Sequence, residues 1–396
     1  MLLCARWIVP LSSPPLEDAA LLIEEDRIKD IGPRKKFSQE GPLLDLGNAI
    51  LLPGLINTHT HLDSTPMPSL DRQPSFTEWV REMGKPSHQR RAQHHGGAQS
   101  AAPLLIGGGT TTMAGHCHPD TELLSTPLRR IIFWEVLGAE FDRARQSLLK
   151  AQARTKQEGG FVSPHSLYGV HPEVLKEMFS KGTHGRLQQS IHLLESEDEN
   201  EFFRKKSGAL ADYVLERGGQ LDRTSPSPLV GLLNSVGAAG AQPAAPLLVH
   251  MNYVTEAEMD ILQKYDLTVV HCPGSHMFFG HRKFPLEELR SRKIRIALGT
   301  DSLSSNTGLS MFREMRLLQE NYPFLSAKEI ITLATREGAR ALNMSSEVGS
   351  LEIGKKADVI AVPLLDSSKD PCENILMAEE VMFSMINGRI VWGSNV

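Results

Sequence analysis

The chain has 396 residues, 40% apolar and 22% charged, a globular composition with room for one large barrel or two to three ordinary domains. A net charge of −5 supplies no broad basic field for nucleic acid or an anionic membrane, and no run nears the ~18–20 apolar residues of a membrane span. Its four cysteines, Cys4, Cys117, Cys272 and Cys372, share no CxxC spacing, which argues against a disulfide framework and for a reducing cytoplasm.

The N-terminal "MLLCARWIV" holds Arg6 in an apolar run too short for a signal segment and reads as a strand. "ALLIEEDRIKDIG" (20–32) is two half-alternating runs around Glu25-Asp26, a hairpin pattern. The C-terminal end matches it in style. "KKADVIAVPL" (355–364) is a strand, and "VMFSMINGRIVW" (381–392) is two strands around Asn387-Gly388, a pair suited to a type I′ turn. The expectation is a small β-sandwich-like domain built from both ends of the chain, residues 1–50 plus 346–396.

Residues 51–345 change pattern to short apolar runs separated by helical segments. The runs are "GLINTHTH" (54–61), "TTTMAGHCH" (110–118), "IIFWEVLGA" (131–139), "FVSPHSLY" (161–168), "QQSIHLLES" (188–196), "PLLVHMN" (246–252), "LTVVHCP" (267–273) and "IRIALGTDS" (294–302). Between them lie "SFTEWVREM" and "TEAEMDILQKY", and after them "SAKEIITLATREGARAL" (326–342), where Ser326 and Glu329 form a capping-box pattern. The Gly-, Ala-, Pro- and Ser-rich stretch 222–246 reads as loop with one helix, and His94-His95 as a solvent-facing pair in a polar helix. Eight such repeats predict an α/β fold, a (β/α)₈ TIM barrel, with strands buried on both faces.

Nearly every run ends in an ionisable residue: His59 and His61, His116 and His118, Glu135, His165, His192 with Glu195, His250, His271, and Asp301. The C-terminal strand ends of a barrel converge on one face. His59 and His61 are two apart on a strand and so share a side of it. Alone, that pair is as readily a hydrogen-bonded core pair as a metal site. With His192 and Asp301 at equivalent strand ends it becomes a shell of three imidazoles and one carboxylate, suited to one divalent metal ion, Zn²⁺ or Fe²⁺.

"PGLINTHTHLD", "SIHLLES" and "LGTDS", in that order, resemble the amidohydrolase superfamily, and "GSLEIGKKADVIAV" (349–362) resembles the strand by which those enzymes return to their small β domain. His192 with Glu195, then His250 and His271, is similar to the branch that deaminates purine-type heterocycles. The resemblance implies that His59, His61, His192 and Asp301 bind the metal. It further implies that Glu195 shuttles a proton to the ring, that His250 steadies the attacked centre and that His165 contacts substrate. The metal activates water for attack on the amino-bearing carbon, and Asp301 is placed to move that water's proton to the departing ammonia. No lysine ends the third or fourth run, which favours one metal over a lysine-bridged pair.

"HCPGSHMFFGH" (271–281) stands where related deaminases carry His-Asn-Pro-x-Ser-Asn, with Cys272 and His276 in place of both asparagines. His271, His276, Trp79 and Glu135 are candidate substrate contacts, Trp79 equally an ordinary residue of an amphipathic helix, and Phe278 and Phe279 are either stacking groups for an aromatic substrate or plain core residues. "FWEVLGAE", "HCPGSH" and "SFTEWV" are similar to deaminases of aminodeoxyfutalosine; adenosine or S-adenosylhomocysteine would use the same ring chemistry. His116 and His118 read as substrate-side or structural. The expected partner is a small heterocycle, with no nucleic acid and no membrane, and a homodimer stays open. The rivals are a hydrolase of a cyclic amide or chlorotriazine and a non-catalytic barrel scaffold.

Overall fold

The computed structural model describes all residues except 38–41, 63–74, 86–96, 124, 181–188, 222–226, 238–245 and 394–396, so the His94-His95 pair and most of the 222–246 stretch lie outside it. The strands are β1 (Leu2–Ile8), β2 (Leu16–Glu24), β3 (Arg27–Pro33), β4 (Leu43–Asp45), β5 (Ala49–Pro53), β6 (Leu55–His61), β7 (Thr110–Cys117) and β8 (Arg129–Val136). They continue as β9 (Phe161–Pro164), β10 (Ser190–Leu193), β11 (Leu247–His250), β12 (Thr268–His271), β13 (Arg295–Leu298), β14 (Val359–Pro363), β15 (Phe383–Ile386) and β16 (Arg389–Trp392). β6 to β13 fall on the eight apolar runs.

Both ends of the chain meet in one sheet ordered β16-β15-β14-β5-β1-β2-β3, with β4 beside β1. β2 and β3 are the expected hairpin, with Glu25 at φ 54 in its turn. β15 and β16 turn at Asn387 and Gly388, both left-handed (φ 50 and 73), as a type I′ turn demands. The closure is β5 pairing antiparallel with β14, Ala49 opposite Pro363 through Pro53 opposite Val359. The described residues thus place the termini in a single sheet rather than two facing layers.

β6-β7-β8-β9 and β10-β11-β12-β13 are two four-stranded parallel sheets. They meet edge to edge at both seams, through the bridges Ser166 with His192 and Thr60 with Asp301. The second seam is dense: Thr300 and Asp301 both donate their N–H to the His59 carbonyl at 3.0 Å, and Thr58 Oγ1 donates to the Leu298 carbonyl at 2.7 Å. β7 is buried at all eight positions and β6 at all but its last, as strands covered on both faces must be.

Helices form where caps and apolar spacing call for them. Ser75 caps Phe76–Met83 by accepting from the Glu78 N–H, and Thr255 with Glu258 makes a full capping box at Glu256–Lys264. Ser326 and Glu329 form the expected box too, but that segment is two helices, Ala327–Leu333 and Arg336–Ala341, broken at Thr335 (φ −133, ψ −85). All four cysteines are buried and form no disulfide, and no helix among the described residues is long and apolar enough to cross a membrane.

Candidate active site

The C-terminal ends of β6 to β13 bring together the ionisable residues that close the runs. One ligand atom from each of His59, His61, His192 and Asp301 lies within 4.8 Å of the others. His61 Nε2 is 3.2 Å from His192 Nε2, while Asp301 Oδ1 is 3.4 Å from His59 Nε2 and 3.6 Å from His61 Nε2. His59 is wholly buried, yet neither ring nitrogen has a hydrogen-bond partner. An unpartnered buried imidazole costs free energy that a cation would recover. Burial holds His59 and His192 well below the ordinary histidine range, with neighbouring imidazoles adding to the effect, so both present neutral nitrogens. Burial pushes the Asp301 carboxyl up, but the imidazoles of His59, His250 and His61 outweigh it and hold it well below the usual carboxylate range. Three imidazoles and one carboxylate in this arrangement fit a divalent metal.

The backbone supports this geometry. His192 Nδ1 donates to the His165 carbonyl at 2.7 Å, which fixes its tautomer and leaves the Nε2 lone pair facing inward. Asp301 Oδ2 accepts from Ser275 Oγ at 2.6 Å and from Ser305 Oγ at 2.7 Å, leaving Oδ1 toward the histidines. Leu194, His250, Met251 and Asp301 all sit at positive φ (52, 75, 52 and 59). Four non-glycine residues in this region at adjoining strand ends mark a strained, over-determined site.

Glu195 and His250 face the same space. Glu195 Oε1 is 3.6 Å from His250 Nε2, and these two form a close group with Asp301. Burial, then the charges of Asp301 and Glu199, raises the Glu195 carboxyl well above its ordinary value. Burial lowers His250 to about 3. Glu195 is held from behind: its N–H donates to Glu199 Oε2 at 2.8 Å, and its carbonyl accepts from Asn252 Nδ2 at 3.0 Å.

The remaining candidates lie around this centre. The His165 ring stacks on His192 with centroids 4.4 Å apart. Glu135 is buried among imidazoles, 3.2 Å from His116 Nδ1, 3.7 Å from His61 Nδ1 and 4.0 Å from His192 Nδ1. His276 Nδ1 donates to Asn252 Oδ1 at 3.0 Å, and burial lowers the ring to about 4. Trp79 Nε1 donates to the Ser304 carbonyl at 3.3 Å and packs edge-on against Phe279. His271 turns its ring onto Phe284, stacked at 4.0 Å, instead of joining the central imidazoles. His118 is half-exposed and accepts from the Asp120 N–H.

Two sets of residues at the centre go beyond the metal, proton-transfer and substrate roles that the sequence assigns, and the first is His116, read there as substrate-side or structural. His116 is wholly buried with its ring 4.3 Å from His59, and its signal was present, since it closes β7 directly opposite His61. Ser275 and Ser305 carried none, being ordinary loop serines until the fold turns them onto Asp301.

Residues 50–391 match the model of the amidohydrolase family. A 5-methylthioadenosine/S-adenosylhomocysteine deaminase of Moorella thermoacetica is 28% identical over 415 residues, spanning 97% of this chain and 92% of that protein. The structure of the Helicobacter pylori aminofutalosine deaminase in complex with methylthio-coformycin superposes with a TM-score of 0.84 at 21% identity, over 98% of this chain and 99% of that one. The zinc complex of an atrazine chlorohydrolase of Arthrobacter aurescens gives 0.78 at 19%, over 99% and 95%. At those identities the two structural likenesses are likenesses of fold. The family match runs from β5 into β16 and includes every strand end that carries the ligand set, and on it the chain belongs to the amidohydrolase family.

Proposed function

We propose that this chain is a metal-dependent hydrolytic deaminase that releases ammonia from an adenine nucleoside. The observation that carries the reading is the pairing of His59, His61, His192 and Asp301 with a buried, proton-retaining Glu195 beside His250. Its whole-length similarity to a deaminase of methylthioadenosine and S-adenosylhomocysteine supports the substrate class.

His59, His61, His192 and Asp301 would hold the metal, zinc by its ligand chemistry. Bound there, it supplies the Lewis acidity that makes water a nucleophile at neutral pH. Asp301 takes the proton of the attacking water and returns one to the departing amine. Glu195 keeps its proton to higher pH than an exposed carboxyl, which suits donation to the ring nitrogen beside the attacked carbon. His250, neutral and with Nε2 unpartnered, steadies the oxygen that develops there. His165, Trp79 and His276 lie around this centre as substrate-side groups, whereas Glu135 sits among the imidazoles and His271 stacks on Phe284, so neither keeps the substrate contact expected of it. We place the machinery on a closed (β/α)₈ barrel over residues 51–345, with a small β domain from 1–50 plus 346–396, in a cytoplasmic enzyme.

Ammonia release by the zinc-loaded protein tests the reading across adenosine, 5′-deoxyadenosine, methylthioadenosine, S-adenosylhomocysteine, aminodeoxyfutalosine, a chlorotriazine and a cyclic amide. Ammonia from one or more of the adenine nucleosides is expected. Silence on all of them with turnover of the triazine or amide would overturn it.

A further inference from the structure

A histidine that binds a metal through one ring nitrogen carries its proton on the other, and that N–H needs an acceptor to fix the ring. His192 has one in the His165 carbonyl. His61 turns its Nδ1 toward Glu135 Oε2 at 3.7 Å. His59 has no hydrogen-bond partner on either nitrogen. Beside it lies His116, wholly buried, its ring 4.3 Å from that of His59 at 66°. His116 Nδ1 is 3.2 Å from Glu135 Oε1, and an ionised carboxylate only accepts, so the His116 proton sits on Nδ1. Its Nε2 is therefore a bare lone pair, and that atom too is buried without a partner.

We propose that His116, oriented by Glu135, is the acceptor for the distal N–H of His59, so that one buried carboxylate orients both histidines of the His-Thr-His motif: His61 directly and His59 through His116. The pair is a positioning device for the metal site of the preceding reading and does not itself touch the reacting atoms. Glu135, His165 and His192 also offer ligand atoms within 4.8 Å of one another, as a second cation site would. His192 cannot serve it: its Nδ1 is spent on the His165 carbonyl and its Nε2 belongs to the first set.

The test reads zinc affinity by competition with a chromogenic chelator, with no substrate present, together with the visible spectrum of the cobalt-substituted protein. His116→Phe keeps a ring beside Phe133, its neighbour at 5.2 Å, but accepts nothing. It is expected to bind zinc 10–100-fold more weakly than the wild type, with a shifted cobalt spectrum and an unchanged melting point for the metal-free protein. His116→Gln, which restores an acceptor, is expected to recover part of that affinity, and Glu135→Gln to lose several-fold. Wild-type affinity and spectrum in His116→Phe would overturn the proposal, as would a His116→Gln no tighter than His116→Phe. If His116→Phe does not fold, unchanged affinity in Glu135→Gln overturns it instead. A wild-type protein that binds no zinc removes the site and the proposal together, whereas a zinc-binding protein silent on adenine nucleosides removes only the substrate reading.

Discussion

The Nε2 atoms of His61 and His192, from strands 131 residues apart in the chain, stand 3.2 Å from each other. The His192 proton is committed to the His165 carbonyl, so its inner nitrogen offers a lone pair. With His61 turned the same way, two lone pairs converge, an arrangement that a cation relieves. Stripping metal with a chelator should therefore lower the melting temperature, and zinc should restore it. At free zinc a hundredfold above the dissociation constant the gain is about 2.7 kcal/mol. Coincident melts with and without zinc would remove the metal site.

Asp301 offers a second test because its two oxygens are differently employed. Oδ2 is taken by the hydroxyls of Ser275 and Ser305, which leaves Oδ1 for the histidine side. Hydrogen bonds to a charged group contribute about 1.5–3 kcal/mol each. Removing both, as Ser275→Ala with Ser305→Ala, should cut kcat roughly 100-fold or more while zinc content stays near one per chain. An undiminished kcat would show that Asp301 is oriented by its backbone alone.

Glu195 and His250 separate proton delivery from folding. Both are buried, and Glu195→Gln keeps the shape while removing the ionisable group. Loss of a general acid costs typically 10²–10⁴-fold, so turnover should drop by about that factor with the melting curve of the zinc form unchanged. Wild-type turnover in Glu195→Gln would move the proton donor elsewhere.

Much of this centre was legible because strands alternate and barrels converge. An apolar run ending in a histidine or carboxylate predicts a side chain at the rim, and all eight runs became strands of the two parallel sheets. The place of His116 is not legible in the same way, although it ends the neighbouring strand opposite His61, since a sequence does not say which of two His-x-His pairs turns inward. The serines on Asp301 were invisible for a different reason: a hydroxyl gains meaning only from a carboxylate brought to it by the fold. The break at Thr335 is hidden because helical spacing continues through it; just beyond, Gly338 packs against Ile56 so closely that a side chain would not fit. The terminal hairpins were readable locally, whereas the pairing of β5 with β14 joins segments some three hundred residues apart and depends on the whole fold.

Glu199 makes stability depend on pH with a defined sign. Burial raises its carboxyl to about 7, above its ordinary value of 4.5, while it accepts the Glu195 N–H. Between these values the folded state holds a proton the unfolded state has released. Its contribution is complete below pH 4.5 and is lost as pH rises through about 7. Glu199→Gln, whose amide oxygen still accepts from Glu195, carries no such term. The wild type should therefore lose stability relative to Glu199→Gln from pH 4.5 to 7, by roughly 3 kcal/mol, and hold a constant difference above that. Parallel urea melts at half-unit steps check it, and a pH-independent difference would show that Glu199 is ionised throughout.

Gly54 is the single residue between β5 of the terminal sheet and β6, the strand that carries His59 and His61. A Cβ there would overlap the side chain of Thr111 on β7, which is itself buried within its sheet. The two strands approach so closely because Leu55 N–H donates to the Gly109 carbonyl at 2.9 Å while Gly54 N–H donates to the Asp358 carbonyl at 3.0 Å, so the backbone is held from both sides. Neither can retreat without breaking a ladder. Gly54→Ala should destabilise by about 3 kcal/mol or more, in the range of severe overpacking. Because the strain enters β6 five residues before His59, zinc affinity should fall in the same variant. The double change Gly54→Ala with Thr111→Ala removes Oγ1 and Cγ2 but leaves the Thr111 Cβ 2.6 Å from the new methyl, so it should recover part of the melting temperature and of the zinc affinity together. If the single variant melts like the wild type, the junction is slack and does not set the position of the histidine pair.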